Sequence, residues 1–208
     1  MSSIGIGITT YNRPDMLNKC LEQIKKHTFN DNVTIYVADD SNERKGVAYR
    51  KNECLRALKD CDYVFLFDDD CYPIRDGWVE FFIQSKFEHL LYLNKYFHGN
   101  PIKHTYVDEY SNCGGCFMYM KKSAINRVGA FNEEFGLYSF EHAEYSNRIY
   151  GKPFYYLCLD GTENYIYSED YSNVEHKSSI TEIEKKELIK KNWNKYFDFN
   201  NKSVYLPL

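Results

Sequence analysis

The sequence predicts an α/β fold with a mainly parallel central sheet flanked by helices, and three observations predict it. Apolar strand-like runs alternate with helical patterns up to residue 70. Each run ends abruptly in polar residues. The third run, Tyr63 to Phe67, is apolar throughout, as in a strand covered on both faces.

The elements follow in order. Ile4 to Ile8 is the first strand, and Thr9 to Pro14 a turn. Leu17, Cys20, Leu21 and Ile24 recur at the spacing of one helix face, and Pro14 and Asp15 suit the first turn of that helix. Val33 to Ala38 is the second strand, ending at Asp39-Asp40-Ser41, and Val47 to Leu58 the second helix. Tyr63 to Phe67 is too short for a helix and stops at Asp68. Right-handed crossovers put the three strand ends on one edge, where open α/β sheets bind ligands. Thr9-Thr10-Tyr11, Asp39-Asp40 and Asp68-Asp69-Asp70 are therefore expected to meet in one crevice. The second half reads as a helix from Trp78 to Ser85, a short strand from Leu90 to Leu93, and a polar loop from His98 to Asn112. A strand from Phe117 to Met120, helices from Ser123 to Val128 and from Glu141 to Tyr150, and a strand from Phe154 to Leu159 follow. A charged helix from Ser178 to Phe197 carries Ile180, Ile183, Leu188, Trp193 and Phe197. The organisation expected is one domain over residues 1–177, with residues 178–208 a helix and tail packed on it.

The 208 residues are 43% hydrophobic and carry a net charge of −4, which suits one globular unit and gives no global basic bias toward nucleic acid. The N-terminus lacks a basic stretch followed by an apolar one, and no apolar run approaches the roughly 20 residues of a membrane span. A soluble protein of the cytoplasm, or of the host cytoplasm for a viral chain, is expected. The cysteines number seven, an odd count that reads as reduced thiols. Cys113-Gly114-Gly115-Cys116 has the CxxC spacing but no second ligand pair for zinc.

Three adjacent carboxylates at a strand end repel one another, so Asp68-Asp69-Asp70 calls for a cation. An oxygen-preferring ion, Mn2+ or Mg2+, suits them, and such ions keep positions open for substrate phosphates. In extended chain Asp68 and Asp70 face one way and Asp69 the other. Asp70, with Asp68 helping through water, is therefore the expected ligand, and Asp69 is placed to meet a sugar or ribose hydroxyl. The alternative is a solvated acidic turn with Asp70 as a local cap.

With these residues in view, the chain resembles the family 2 glycosyltransferases of the GT-A fold, in the small single-domain form that viruses and bacteria encode. The matching segments are Gly7 to Pro14, Val37 to Ser41, Gly46 to Asn52 and Val64 to Asp70, then Gly114-Gly115, Val128 to Phe135 and Glu141 to Arg148, in family order. The resemblance implies the GT-A nucleotide-diphospho-sugar transferase fold, a UDP-sugar donor and a divalent metal. It implies that Thr9, Tyr11 and Arg13 line the nucleotide pocket and that Asp40 binds the uracil edge. It places Lys51 and Asn52 where the family has Arg-Asn, and Gly115 (with Gly114) where backbone approaches the donor sugar. The family's Glu-Asp pair, which supplies the base, reads Glu141-His142 here, so the base is one of these two. His176 corresponds to a late metal or diphosphate ligand. The acceptor, a carbohydrate or other hydroxyl compound, is expected to enter from the loop at 98–111 and the segment at 135–140. Tyr106, Tyr110, Phe135, Tyr138 and Phe140 are placed there to stack on a sugar or a base.

Three other readings compete. The same fold can glycosylate a modified DNA base, with Lys185, Lys186, Lys190, Lys191 and Lys195 on phosphate; the interspersed Glu182, Glu184 and Glu187 weaken this, and a nucleic-acid partner is not favoured. A nucleotidyltransferase needs a glycine-rich triphosphate loop, and Thr9 to Pro14 has no glycine. A non-catalytic nucleotide-sugar-binding protein would keep the Asp cluster and tolerate the altered Glu-Asp pair.

Overall fold

The computed structural model describes residues 2–29, 32–172, 180–200 and 204–208. Along the chain run β1 (Ile4–Thr10), α1 (Pro14–His27), β2 (Val33–Asp39), α2 (Val47–Ala57), β3 (Tyr63–Asp68), β4 (Cys71–Pro73), α3 (Trp78–Ile83) and β5 (His89–Leu91). Then come α4 (Lys95–His98), β6 (Val107–Tyr110), β7 (Phe117–Lys121), α5 (Lys122–Val128), α6 (Glu141–Tyr150), β8 (Tyr156–Leu159), β9 (Ile166–Ser168), α7 (Glu169–Ser172) and α8 (Glu182–Asn200). The central sheet has the order β2-β1-β3-β7-β5. Its β1–β2 and β1–β3 pairs are parallel, while β7 runs antiparallel to both β3 and β5. Two small antiparallel pairs, β4–β9 and β6–β8, lie outside it.

Strand alternation divides the core between the two sheet faces. Val64, Leu66, Met118 and Met120 pack on one side with residues of α2, α5, α6 and α8. Phe65, Phe67, Phe117 and Tyr119 pack on the other with Ile4, Ile6, Ile8 and residues of α1 and α3. On β1 the residues facing α2 are Gly5 and Gly7, and a Cβ on Gly7 would stand 2.6 Å from that of Cys54. A side chain there would hold the helix off the sheet.

The predicted elements of the first half are present with ends moved by a residue or two. The polar loop expected at 98–112 is different: it holds β6, which pairs with β8. Val107 and Tyr110 are buried and the two acids between them are half-buried, so this strand shows no period-two alternation. No described helix is long and apolar enough to cross a membrane.

Candidate active site

The chain ends of β1, β2 and β3 are tied together by backbone bonds. Asp40 N–H donates to Thr10 C=O at 2.9 Å, Asp69 N–H to Thr9 C=O at 3.0 Å, and Asp68 N–H to Cys116 C=O at 2.8 Å. They border a cavity of about 660 Å3 lined on this side by Thr9, Tyr11, Arg13, Asp40, Asp68 and Asp70. Asp69 does not line it.

Each acid of the trio has its own surroundings. Asp68 accepts from the Thr9 hydroxyl at 2.8 Å and keeps 30% of its side-chain surface, which leaves it open to the cavity. Asp69 has no exposed side-chain surface; it accepts from the Thr10 hydroxyl at 2.6 Å and from Arg13. Asp70 accepts from Arg13 Nη1 at 2.8 Å. Burial pushes the Asp69 carboxyl up to about 7 against the pull of Arg13, and burial likewise raises Asp68 against the pull of Lys51. A divalent cation would offset the burial that holds these carboxyls above their ordinary range.

On the β2 side, Asp40 accepts from Lys45 N–H at 2.7 Å, Gly46 N–H at 2.8 Å and Arg50 Nε at 2.8 Å. The Arg44 guanidinium lies 5.2 Å from the Tyr11 ring centroid, and both residues line the cavity.

Lys51 and Asn52 point beneath the cavity wall. Asn52 bonds both backbone groups of Phe131 and the Glu133 carboxylate. Lys51 is fully buried; it donates to Gly115 C=O at 3.0 Å, and its ammonium is 3.3 Å from Glu141 Oε1 and 3.9 Å from Asp68 Oδ1. Burial works against its charge, but Asp68 and Glu141 outweigh burial and raise its pKa.

Glu141 opens α6 and is 3% exposed. Its Oε1 faces Lys51 and takes His142 Nδ1 at 3.0 Å, while its Oε2 is buried without a hydrogen-bond partner. Burial raises its carboxyl, and His142 and Lys51 together pull it well below the carboxylate range. Burial lowers the His142 imidazole, yet Glu141 and Cys113 hold it well above its usual value. At neutral pH the pair is therefore a carboxylate beside an imidazolium. A Cβ on Gly115 would come within 2.7 Å of the His142 ring, so glycine there makes room for this histidine.

The backbone leading into α6 is strained. Ser139 (φ 79°) and Phe140 (φ 73°) both lie in the left-handed region, disfavoured for residues with a Cβ. Asn192, fully buried on α8, holds this turn by donating from Nδ2 to Phe135 C=O at 2.7 Å and Tyr138 C=O at 2.8 Å. The terminal helix thus braces the segment that delivers Glu141.

Of the far wall, the sequence anticipated Tyr138 and Phe140 alone. Phe154, Tyr156, Ile189, Trp193 and Tyr196 line it together with Phe140 and Tyr138. Of the aromatics expected at the acceptor side, Tyr110 and Phe135 are core residues, and Tyr106 is exposed and does not line the cavity. A signal for the wall existed in the Trp193, Tyr196, Phe197 spacing, which sets three rings on neighbouring turns of α8. His176 lies outside the described residues. His98 is also not at the cavity, and burial lowers its imidazole to about 4. Among the described residues, one trio has ligand atoms all within 4.8 Å of one another, His104, Asp108 and Asp160. It sits at the end of the β6–β8 pair opposite Tyr156.

No protein-family model matches the chain. It is 25% identical to an uncharacterised glycosyltransferase of Acanthamoeba polyphaga mimivirus, over 78% of this chain and 80% of that one. Among solved structures it is similar to S. aureus TarS (TM-score 0.59, 16% identity, 95% of this chain and 72% of that one). It is also similar to a Drosophila galactosyltransferase in complex with manganese, UDP-Gal and xylobiose (TM-score 0.56, 13% identity, 88% and 79%). A mannosyltransferase from Pyrobaculum calidifontis, in complex with GDP-Man and Mn2+, has a TM-score of 0.56 at 13% identity over 71% of this chain; the match spans about half, 52%, of its length. These likenesses show the GT-A fold.

Proposed function

The chain being a glycosyltransferase of the GT-A fold, we propose that it moves a sugar from a UDP-sugar to an acceptor hydroxyl with the help of Mn2+ or Mg2+. One observation carries the reading: Glu141, Asp68 and Asp70 line the same cavity. Asp68 and Asp70 fit the metal, since both reach the cavity and offer the carboxylate oxygens that such an ion prefers. When bound, the ion offsets the charge that develops on the departing diphosphate.

The chain's own residues do the rest. Tyr11 and Arg44 form a platform for the nucleobase, with Asp40 and Thr9 beside it. Asp40 already carries three donors, and its remaining lone pair takes the imide N–H of uracil. Arg13 and Arg50 turn guanidinium groups toward the phosphates. Asp69 serves from behind by anchoring Arg13. Glu141, which lines the cavity, removes the acceptor proton. Its carboxylate stays ionised because Lys51 and His142 hold its charge at Oε1. His142, already an imidazolium, orients Glu141 and does not act as the base. The neighbouring structures in complex with Mn2+ and nucleotide sugars support the donor class and the metal.

Calorimetric titration of UDP with and without Mn2+ tests it. Wild-type protein should bind UDP more tightly with the ion, and Asp70→Ala should lose that ion dependence. Binding of UDP that ignores Mn2+, or an Asp70→Ala variant that binds as wild type, would overturn the metal assignment.

A further inference from the structure

We propose that the wall formed by Phe140, Phe154, Tyr156, Ile189, Trp193 and Tyr196 is the acceptor subsite, and that it takes the ring of a neutral glycoside stacked on Trp193. The inference rests on the transfer reading above and names the substrate class for the other half of that cavity.

Charge is divided sharply across the cavity. Its arginines, Arg13, Arg44 and Arg50, all come from the β1–α2 side. From Ser111 onward, among the described residues, the lining holds no lysine or arginine, and its acids are Glu141 and Asp170. The exposed lysines of α8 do not line it. The imidazolium of His142 is already paired with Glu141, so among the described residues this side leaves no unpaired cation for a nucleic-acid phosphate, contrary to what backbone binding requires. A neutral acceptor meets no such opposition.

The wall offers ring faces and little hydrogen bonding. The hydroxyls of Tyr156 and Tyr196 lie 2.7 Å apart, and Asn147 Nδ2 donates to Tyr196 at 2.9 Å, so these polar tips are bound inside the protein. Trp193 remains 48% exposed and Phe154 41% exposed. Phe140 lies 5.7 Å from Trp193 and Phe197 5.0 Å from it, both crossing it at 67°, which fixes the indole in place. A fixed ring lining the same cavity as Glu141 suits the apolar face of a sugar whose hydroxyl is carried toward that carboxylate. Aromatic side chains provide such area at low cost in conformational entropy.

The chain holds two tryptophans, and the second, Trp78, is fully buried in the core, so a ligand-dependent change in emission reports on Trp193. Emission is titrated with maltose, cellobiose and lactose in the presence of Mn2+ and UDP. A saturable shift is expected with at least one disaccharide in wild type and none in Trp193→Ala. In UDP-release assays with that disaccharide, Trp193→Ala and Phe154→Ala should each raise the acceptor KM about tenfold, or about 1.4 kcal/mol, with the donor KM within about twofold. Three results would overturn the inference: emission silent to every disaccharide while UDP binds, acceptor KM unchanged in both variants, or tighter, salt-sensitive binding of a DNA oligonucleotide. Absence of UDP binding to wild type would instead sink the transfer reading itself.

Discussion

Replacing Lys51 with methionine removes an ammonium that stands between two acids of the site. Its distances of 3.3 Å to Glu141 and 3.9 Å to Asp68 correspond to gross attractions of about 5 and about 4 kcal/mol at an effective dielectric constant of about 20. Burying the ammonium cancels much of this in the wild type, but the variant leaves Glu141 a buried carboxylate without that counter-charge. Breaking a buried pair from one side costs about 3–5 kcal/mol. Lys51→Met should therefore lower the unfolding free energy by about 4 kcal/mol. Glu141→Gln leaves the buried Lys51 ammonium with Asp68 alone and the His142 imidazolium without its carboxylate, and should likewise cost about 3 kcal/mol or more. The double variant has neither ion at this pair, so its loss should fall short of the sum by about 2 kcal/mol or more. Guanidinium unfolding at pH 7, with unchanged slopes across the four proteins, measures the cycle. Additivity within about 0.5 kcal/mol would refute the claim that Lys51 neutralises Glu141.

Two further outcomes follow from buried polar groups. His89 has no exposed surface, its nitrogens sit 2.9 Å from Tyr119 C=O and 2.8 Å from Ser146 Oγ, and burial lowers its imidazole to about 4. The unfolded chain therefore takes up the proton first as pH falls, so the stability from neutral His89 is complete above about pH 6.5 and lost toward pH 4. The loss between pH 7.5 and 5.0 should be about 2 kcal/mol and should vanish from the difference between the two pH values in His89→Gln; an unaltered difference would contradict it. Asn192→Ala should cost about 1–3 kcal/mol by leaving loop carbonyls unpaired, and should reduce kcat even for fully folded protein, because the strained turn before Glu141 loses its brace. A stability loss with kcat unchanged would make Asn192 structural only.

The strand ends were legible because apolar runs stop at acids, and the crossover rule then fixes their common edge. Asp40, Asp68 and Thr9 meet there as polar punctuation does in an open α/β sheet. Lys51 was harder to place: a lysine in a helix pattern looks the same whether it faces solvent, phosphate or a buried acid, and only its 3.3 Å approach to Glu141 decides. Gly115 shows the same limit, since a glycine needed for His142 reads like one needed for a sugar. β6 escaped notice because its polar centre breaks alternation. The aromatic wall escaped because Trp193 and Tyr196 reach the cavity through packing of α8 on α6, a contact between segments far apart in the chain.

The central claim is sugar transfer with Glu141 as the base, and released UDP measures it most directly. Given Mn2+, a panel of UDP-sugars and a neutral disaccharide acceptor, wild-type protein should release UDP from at least one donor. Glu141→Gln should bind UDP as wild type does and lose transfer by about 10²–10⁴-fold. Release from no donor in the panel, or transfer by Glu141→Gln at the wild-type rate, would contradict the account.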